Sequence, residues 1–196
     1  MGTIDVGSPA PGFTLRDASG RRHALADFKG RPVVIYFYPE DDTPLCTAQA
    51  CQFRDAHAEY AALECQVIGI SPDDAAAHAA FAARYNLPFL LLVDDKLPGG
   101  EPKVSTLYGA WGDKNMYGNI VRAMLRTTYL IGPDGRVARR WDRVKTPGHA
   151  DAVLKALKEL RAGDVSAGLR KPLKRRAAAK AAPGGRPVRV RKKTAK

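Results

Sequence analysis

The stretch Val33-Val34-Ile35-Tyr36-Phe37-Tyr38-Pro39-Glu40-Asp41-Asp42-Thr43-Pro44-Leu45-Cys46 decides the architecture. Residues 33–38 are all apolar or aromatic and three are β-branched, so they read as a strand buried on both faces. Pro39 ends that strand. Beyond a polar turn closed by Pro44 the hydrophobic period changes. Phe53, Tyr60 and Leu63 fall at i, i+7 and i+10, which predicts a helix over Cys46–Leu63.

The pattern repeats downstream. Val67–Ile70 is a second buried strand. Ser71-Pro72-Asp73-Asp74 reads as an N-cap followed by proline at the first helical position, opening a helix that runs to about Tyr85. Phe89–Val93 is a third strand. Upstream, Phe13–Leu15 and Arg22–Ala24 flank Asp17-Ala18-Ser19-Gly20, a hairpin by its turn residues. After a Pro/Gly loop at 96–102 come a short helix at 103–109 and two strands, Thr127–Ile131 and Val137–Trp141. Gly132-Pro133-Asp134-Gly135 joins those strands. A helix over His149–Leu160 closes the domain, with Val153, Leu154, Leu157 and Leu160 on one face. The order is hairpin, βαβαβ, hairpin, helix. It predicts an α/β sandwich, a mixed central sheet with helices on both faces, and is compatible with a thioredoxin-like fold. No repeat of 20–50 residues is present.

Composition divides the chain in two. Of its 32 Lys and Arg residues, 12 lie in residues 165–196, which contain no acid and no aromatic. That leaves 20 basic against 20 acidic residues in 1–164, so the net charge of +12 belongs to the tail. Residues 1–164 are expected to form one domain. Residues 165–196 are expected to be a disordered Lys/Arg-rich tail, since they hold too little apolar surface to offset ordering. No apolar run approaches the ~20 residues of a membrane span. The N-terminus lacks the basic start and apolar core of a signal peptide, so a soluble cytoplasmic protein without membrane contact is expected.

Three cysteines, Cys46, Cys51 and Cys65, are too few for a disulfide scaffold. Cys46 follows the carboxyl end of a buried strand, where sites on open α/β sheets lie. It also falls in or near the first turn of a helix, where free N–H groups and the helix dipole favour an anion such as a thiolate nucleophile. Cys51 is five residues on. On one helix the two Cα atoms stand ~8.7 Å apart, beyond the ~7 Å limit of a disulfide, so any pairing requires the first turns to unwind. Cys65, just before a buried strand, reads as structural. Zinc is disfavoured, because four residues separate Cys46 from Cys51 and there is no second ligand cluster.

Pro39, Thr43 and Cys46 fit the P-x-x-x-T-x-x-C signature of the peroxiredoxins. The run Tyr36–Thr47, with the gap to Cys51, resembles the bacterioferritin-comigratory (Q-type) subfamily. So do Tyr108-Gly109-Ala110-Trp111-Gly112, Met116-Tyr117-Gly118 and Arg126-Thr127-Thr128-Tyr129-Leu130-Ile131. The resemblance covers roughly residues 5–160; Leu45 departs from it, standing where the subfamily usually has Gly.

The resemblance implies a thiol-dependent peroxidase acting on hydrogen peroxide and organic hydroperoxides in antioxidant defence. Cys46 is then the peroxidatic nucleophile that becomes a sulfenic acid, and Cys51 the resolving thiol that closes an intramolecular disulfide. Arg126 holds the thiolate and polarises the peroxide. Thr43 positions the peroxide and Pro39 shields the pocket. A thioredoxin-type protein is the implied reductant, and no metal or organic cofactor is needed. A resolving thiol in the same helix permits an intramolecular disulfide, which favours a monomer and is also compatible with a dimer. Two other classes compete. A thioredoxin-fold binding module acting through its tail would keep its function without the Cys46 thiol. A general thiol–disulfide oxidoreductase would act without peroxide, and the missing C-x-x-C speaks against it. The tail has two readings: a solvated segment that serves solubility or nonspecific association, and a weak, sequence-indifferent tether to nucleic-acid phosphates.

Overall fold

In the computed structural model, described for residues 4–116 and 118–163, a seven-stranded mixed sheet forms the centre. Three parallel strands, β3 (Val33–Phe37), β4 (Gln66–Ser71) and β5 (Leu90–Val93), lie side by side in its middle. The hairpin of β1 (Thr14–Asp17) and β2 (Arg22–Ala24) adds antiparallel to β5. On the other edge, β8 (Thr127–Ile131) and β9 (Val137–Trp141) add antiparallel to β3.

Every residue of β3 is buried, as expected for a strand covered on both faces. Val34 and Tyr36 face one layer, built from α1 (Pro44–Asp55), α2 (His57–Ala62), α3 (Ala75–Tyr85) and α5 (His149–Arg161). Val33, Ile35 and Phe37 face the other, thinner layer, made by the 3₁₀ turn Leu25–Phe28 and α4 (Lys103–Leu107). The thicker layer is seated on aromatic rings. Phe53 of α1 stacks on Tyr36 at 4.9 Å between centroids, and the Tyr60 hydroxyl donates to the Ala150 carbonyl across the core. Gly69 stands opposite Tyr36 in the β3–β4 register. A Cβ there would lie 2.7 Å from the Tyr36 oxygen, so the missing side chain makes room for the ring.

Three local expectations are corrected. The helix expected over 46–63 begins earlier, at Pro44, and breaks at Ala56 into α1 and α2. No Pro or Gly marks that break. Ser71 is not the cap of α3: it ends β4 with its hydroxyl on Asp73, while the Asp74 carboxylate accepts from the Ala77 N–H at 2.8 Å. An unanticipated hairpin, β6 (Trp111–Met116) with β7 (Asn119–Met124), forms a separate two-stranded sheet. The first four residues of β7 are exposed, so they lack the buried face whose alternation reveals a strand. The tail expected at 165–196 lies outside the described residues.

Candidate active site

The loop 38–43 carries the chain from the carboxyl end of β3 into α1. Thr43 is the N-cap residue and Pro44 opens the helix with φ already suited to it. Cys46 is therefore the third helical residue, among the N–H groups that have no partner within the helix. It is 1% exposed.

Strand pairing supplies the second component. β8 runs antiparallel to β3 with Thr127 opposite Phe37, so Arg126, one residue earlier, arrives at the carboxyl end of β3. Its Nη2 donates to Cys46 Sγ at 3.2 Å. Its Nη1 donates to Oε1 of Gln49, a fully buried side chain one helical turn beyond Cys46. The guanidinium is thus oriented by the same helix that carries the sulfur. A helix N-terminus and a fixed cation converge on one sulfur atom, and both stabilise negative charge there.

The loop is held from the side of α3. Asp41 accepts from the Tyr38 hydroxyl (2.7 Å), lies 2.7 Å from Nδ1 of the fully buried His78, and donates its N–H to Asp73. Asp42 adopts a left-handed conformation, φ 56°, and its carboxylate meets Arg84 and the Tyr85 hydroxyl. Left-handed backbone is costly outside glycine, and these contacts from α3 hold it in place.

The other expected site residues fall as follows. Pro39 is half-buried at the end of β3. The Thr43 hydroxyl donates to the Glu40 carbonyl at 3.3 Å, and the Thr43 carbonyl accepts the Thr47 N–H. Cys51 is half-buried and lies in the same helix as Cys46, ~140° around its axis by helical geometry. The two are not brought together. Leu45 is 63% exposed beside Cys46. Cys65 is buried, and burial pushes its thiol up to about 12, which keeps it protonated and unreactive near neutral pH.

Two site residues escaped the sequence reading. Gln49 could have been found, being a polar residue at i+3 from Cys46 on the face that continues into Ala50 and Phe53. His149 carried no local signal. It is buried at the start of α5, its Nε2 lies 2.9 Å from the Thr128 hydroxyl, and its ring packs edge-on against Phe53 and Trp141. Burial, and then the positive charge of Arg126, lower its pKa to about 4.

This shift makes a prediction. Between pH 6.5 and 4 the unfolded chain binds a proton on His149 that the folded chain refuses. The stabilisation is complete above pH 6.5 and is lost as pH falls to about 4, on the order of 2–3 kcal/mol. Thermal melts should therefore show wild type losing more stability than His149→Gln between pH 7 and pH 4. Parallel losses would mean that His149 takes up its proton without cost.

Fold and sulfur-centred geometry together define a class: thiol-dependent redox proteins on a thioredoxin-like scaffold. Comparison with known proteins narrows it. The AhpC/TSA family model matches residues 6–140. Peroxiredoxin Bcp of Bacillus subtilis is 40% identical over 158 residues, spanning 81% of this chain and 98% of that protein. The chloroplastic peroxiredoxin Q of Oryza sativa subsp. japonica is 43% identical over 160 residues, 81% of this chain and 69% of that protein. Among solved structures, the Xanthomonas campestris bacterioferritin comigratory protein, studied for alkyl peroxide reduction, superposes with a TM-score of 0.69 at 35% identity. That match covers 74% of this chain and 90% of the other. The chain belongs to the AhpC/TSA family, on the branch of the Bcp and Q-type peroxiredoxins. No helix among the described residues is long and apolar enough to cross a membrane.

Proposed function

We propose that this thiol peroxidase reduces hydrogen peroxide and organic hydroperoxides through Cys46, resolved by Cys51. The observation that carries the reading is the 3.2 Å contact from Arg126 to a buried sulfur in the first turn of α1. In the first step the Cys46 thiolate attacks one peroxide oxygen. The S–O bond forms, the O–O bond breaks, and the leaving oxygen takes a proton to depart as water or an alcohol. The sulfur is left as a sulfenic acid. Arg126 donates to the oxygen on which charge develops, Thr43 positions the peroxide, and Pro39 shields the pocket. In the second step the Cys51 sulfur, its thiol proton released, attacks the sulfenic sulfur; the S–O bond breaks, the departing hydroxide takes up one proton, and water leaves as the disulfide forms. A thioredoxin-type dithiol then returns two electrons.

Helix geometry places a condition on the second step. With both cysteines in α1, the first turns must open before the sulfurs meet. An intramolecular disulfide needs no second subunit, which favours a monomer and is also compatible with a dimer. Three cysteines, too few for a disulfide scaffold, suit a reducing compartment, the cytoplasm. Residues 1–164 are the catalytic domain, and the basic residues 165–196 tether it weakly to nucleic-acid phosphates.

Intact mass after one equivalent of peroxide tests the cycle. Wild type should lose about two mass units, the signature of one disulfide. Cys51→Ser should stop at a sulfenic acid that a dimedone-type reagent traps. If Cys51→Ser still closes an intramolecular disulfide, Cys51 is not the resolving thiol.

A further inference from the structure

His78 is a polar ring at a position that packing alone would fill with an apolar one. It lies on the buried face of α3 with Phe81, is fully buried, and its ring centroid stands 6.5 Å from that of Tyr38. Among the described residues its side chain makes one hydrogen bond, from Nδ1 to Oδ2 of Asp41 at 2.7 Å, and Nε2 has no partner. A carboxylate can only accept, so Nδ1 carries the proton. Burying an imidazole with one nitrogen unpaired is destabilising. The one contact that His78 makes in return reaches back 37 residues, to the loop that precedes Cys46.

Asp41 is the point at which that loop is fastened. Its side chain is 6% exposed, although its neighbours Glu40 and Asp42 are exposed. One carboxylate oxygen accepts from the Tyr38 hydroxyl, just beyond β3, and the other accepts from His78 on α3. The Asp41 N–H donates to Asp73, which is itself held by the Ser71 hydroxyl. Thr43, the N-cap of α1, and Cys46 in its first turn follow directly. The deeper part of α1 is seated by Phe53 on Tyr36, so the loop sets where its first turn begins. Arg126 reaches the sulfur from a different element, the start of β8. The placement of Cys46 against that guanidinium therefore depends on the loop, and the loop depends on Asp41.

We infer that His78 is a positioning residue for the attack on peroxide: through Asp41 it fixes the loop that sets Thr43 and Cys46 against Arg126. This deepens the reading of Cys46 as the peroxidatic sulfur and rests on it. Without the Nδ1 donor, Asp41 is a buried carboxylate short of one partner. The nearest relief is for the loop, which is already exposed on either side of Asp41, to carry that carboxylate into water. The start of α1 then shifts while Arg126 stays on β8. Reacting groups misplaced by about 1 Å lose on the order of 10²-fold in rate.

Two substitutions separate this role from space filling. In His78→Asn the amide nitrogen takes the place of Nδ1. In His78→Gln it takes the place of Nε2, and glutamine is the closer of the two to histidine in volume. The measurement is stopped-flow oxidation of Cys46 by hydrogen peroxide, in reduced full-length protein under single-turnover conditions. His78→Gln should be ~10–100-fold slower than wild type, and His78→Asn should stay within about threefold of it. Asp41→Ala should slow the step at least as much as His78→Gln, and adding His78→Gln to it should slow it no further, since both break one link. Equal rates for wild type and His78→Gln would overturn the proposal. So would a slower His78→Asn than His78→Gln, the order that packing volume alone gives, or losses that multiply in the double variant. Should circular dichroism show that His78→Gln does not fold, Asp41→Ala decides alone, and oxidation within about threefold of wild type breaks the link. A wild type whose Cys46 is not rapidly oxidised would instead sink the peroxidase reading itself, an outcome visible before any variant is compared.

Discussion

Cys46→Ser is expected to lower peroxide consumption by at least ~10⁴-fold, the scale seen when a nucleophile is removed. Serine is close to isosteric with cysteine, and its hydroxyl can still accept from Arg126. The helix start and the core around a residue only 1% exposed should therefore hold. What disappears is the polarisable sulfur nucleophile: near neutral pH a serine hydroxyl stays protonated, and among the described residues the side chain bonded to this position is the cation Arg126, not a base. Peroxide consumption with a dithiol reductant measures the loss, and a circular dichroism spectrum matching wild type shows that the fold survives. Activity retained within tenfold would move the function away from this site, and the chain would then be a binding module on a thioredoxin-like scaffold.

Arg126→Met should cost ~10²–10³ in the rate at which peroxide oxidises Cys46, as expected for losing one preorganised donor to developing charge. Methionine keeps most of the volume, so packing between β8 and α1 is largely preserved. Gln49, fully buried, loses the partner of its Oε1, which adds the cost of an unsatisfied acceptor to stability. Arg126→Lys should recover only part of the rate. A single ammonium cannot keep the forked grip that joins Cys46 Sγ to Gln49 Oε1. Stopped-flow oxidation under single-turnover conditions separates this step from disulfide closure. A rate for Arg126→Met within threefold of wild type would mean that the 3.2 Å contact plays no part in attack.

What could be read in advance follows from where the information resides. The strand at 33–37 and the helix after Pro44 were legible because burial on both faces and a shift to helical period are local properties of the chain. So was the placement of Cys46 at the helix start. Arg126 was different. It lies 80 residues from Cys46, and only the antiparallel pairing of β3 with β8 brings it there, a long-range fact that no local pattern encodes. Resemblance to a family pointed to it where periodicity could not. The Ser71 cap was misread because serine before proline satisfies the capping rule as well as Asp74 does. The deciding factor was the tertiary role of Ser71, a buried strand end bonded to Asp73. The β6–β7 hairpin was invisible because exposed strands leave no hydrophobic period to detect.

The shared helix of Cys46 and Cys51 has a kinetic consequence for the proposed cycle. Attack on peroxide needs only the folded arrangement, whereas closing a disulfide between these two cysteines first requires the first turns of α1 to open. Opening also disturbs the loop whose left-handed Asp42 is held by Arg84 and Tyr85. Whatever stabilises the folded start of α1 therefore slows the second step of that cycle and leaves the first unchanged. It lengthens the life of the sulfenic acid, and with it the chance that a second peroxide drives the sulfur to sulfinic acid. In that cycle, rigidity at the helix start is what exposes the sulfur to inactivation by its own substrate.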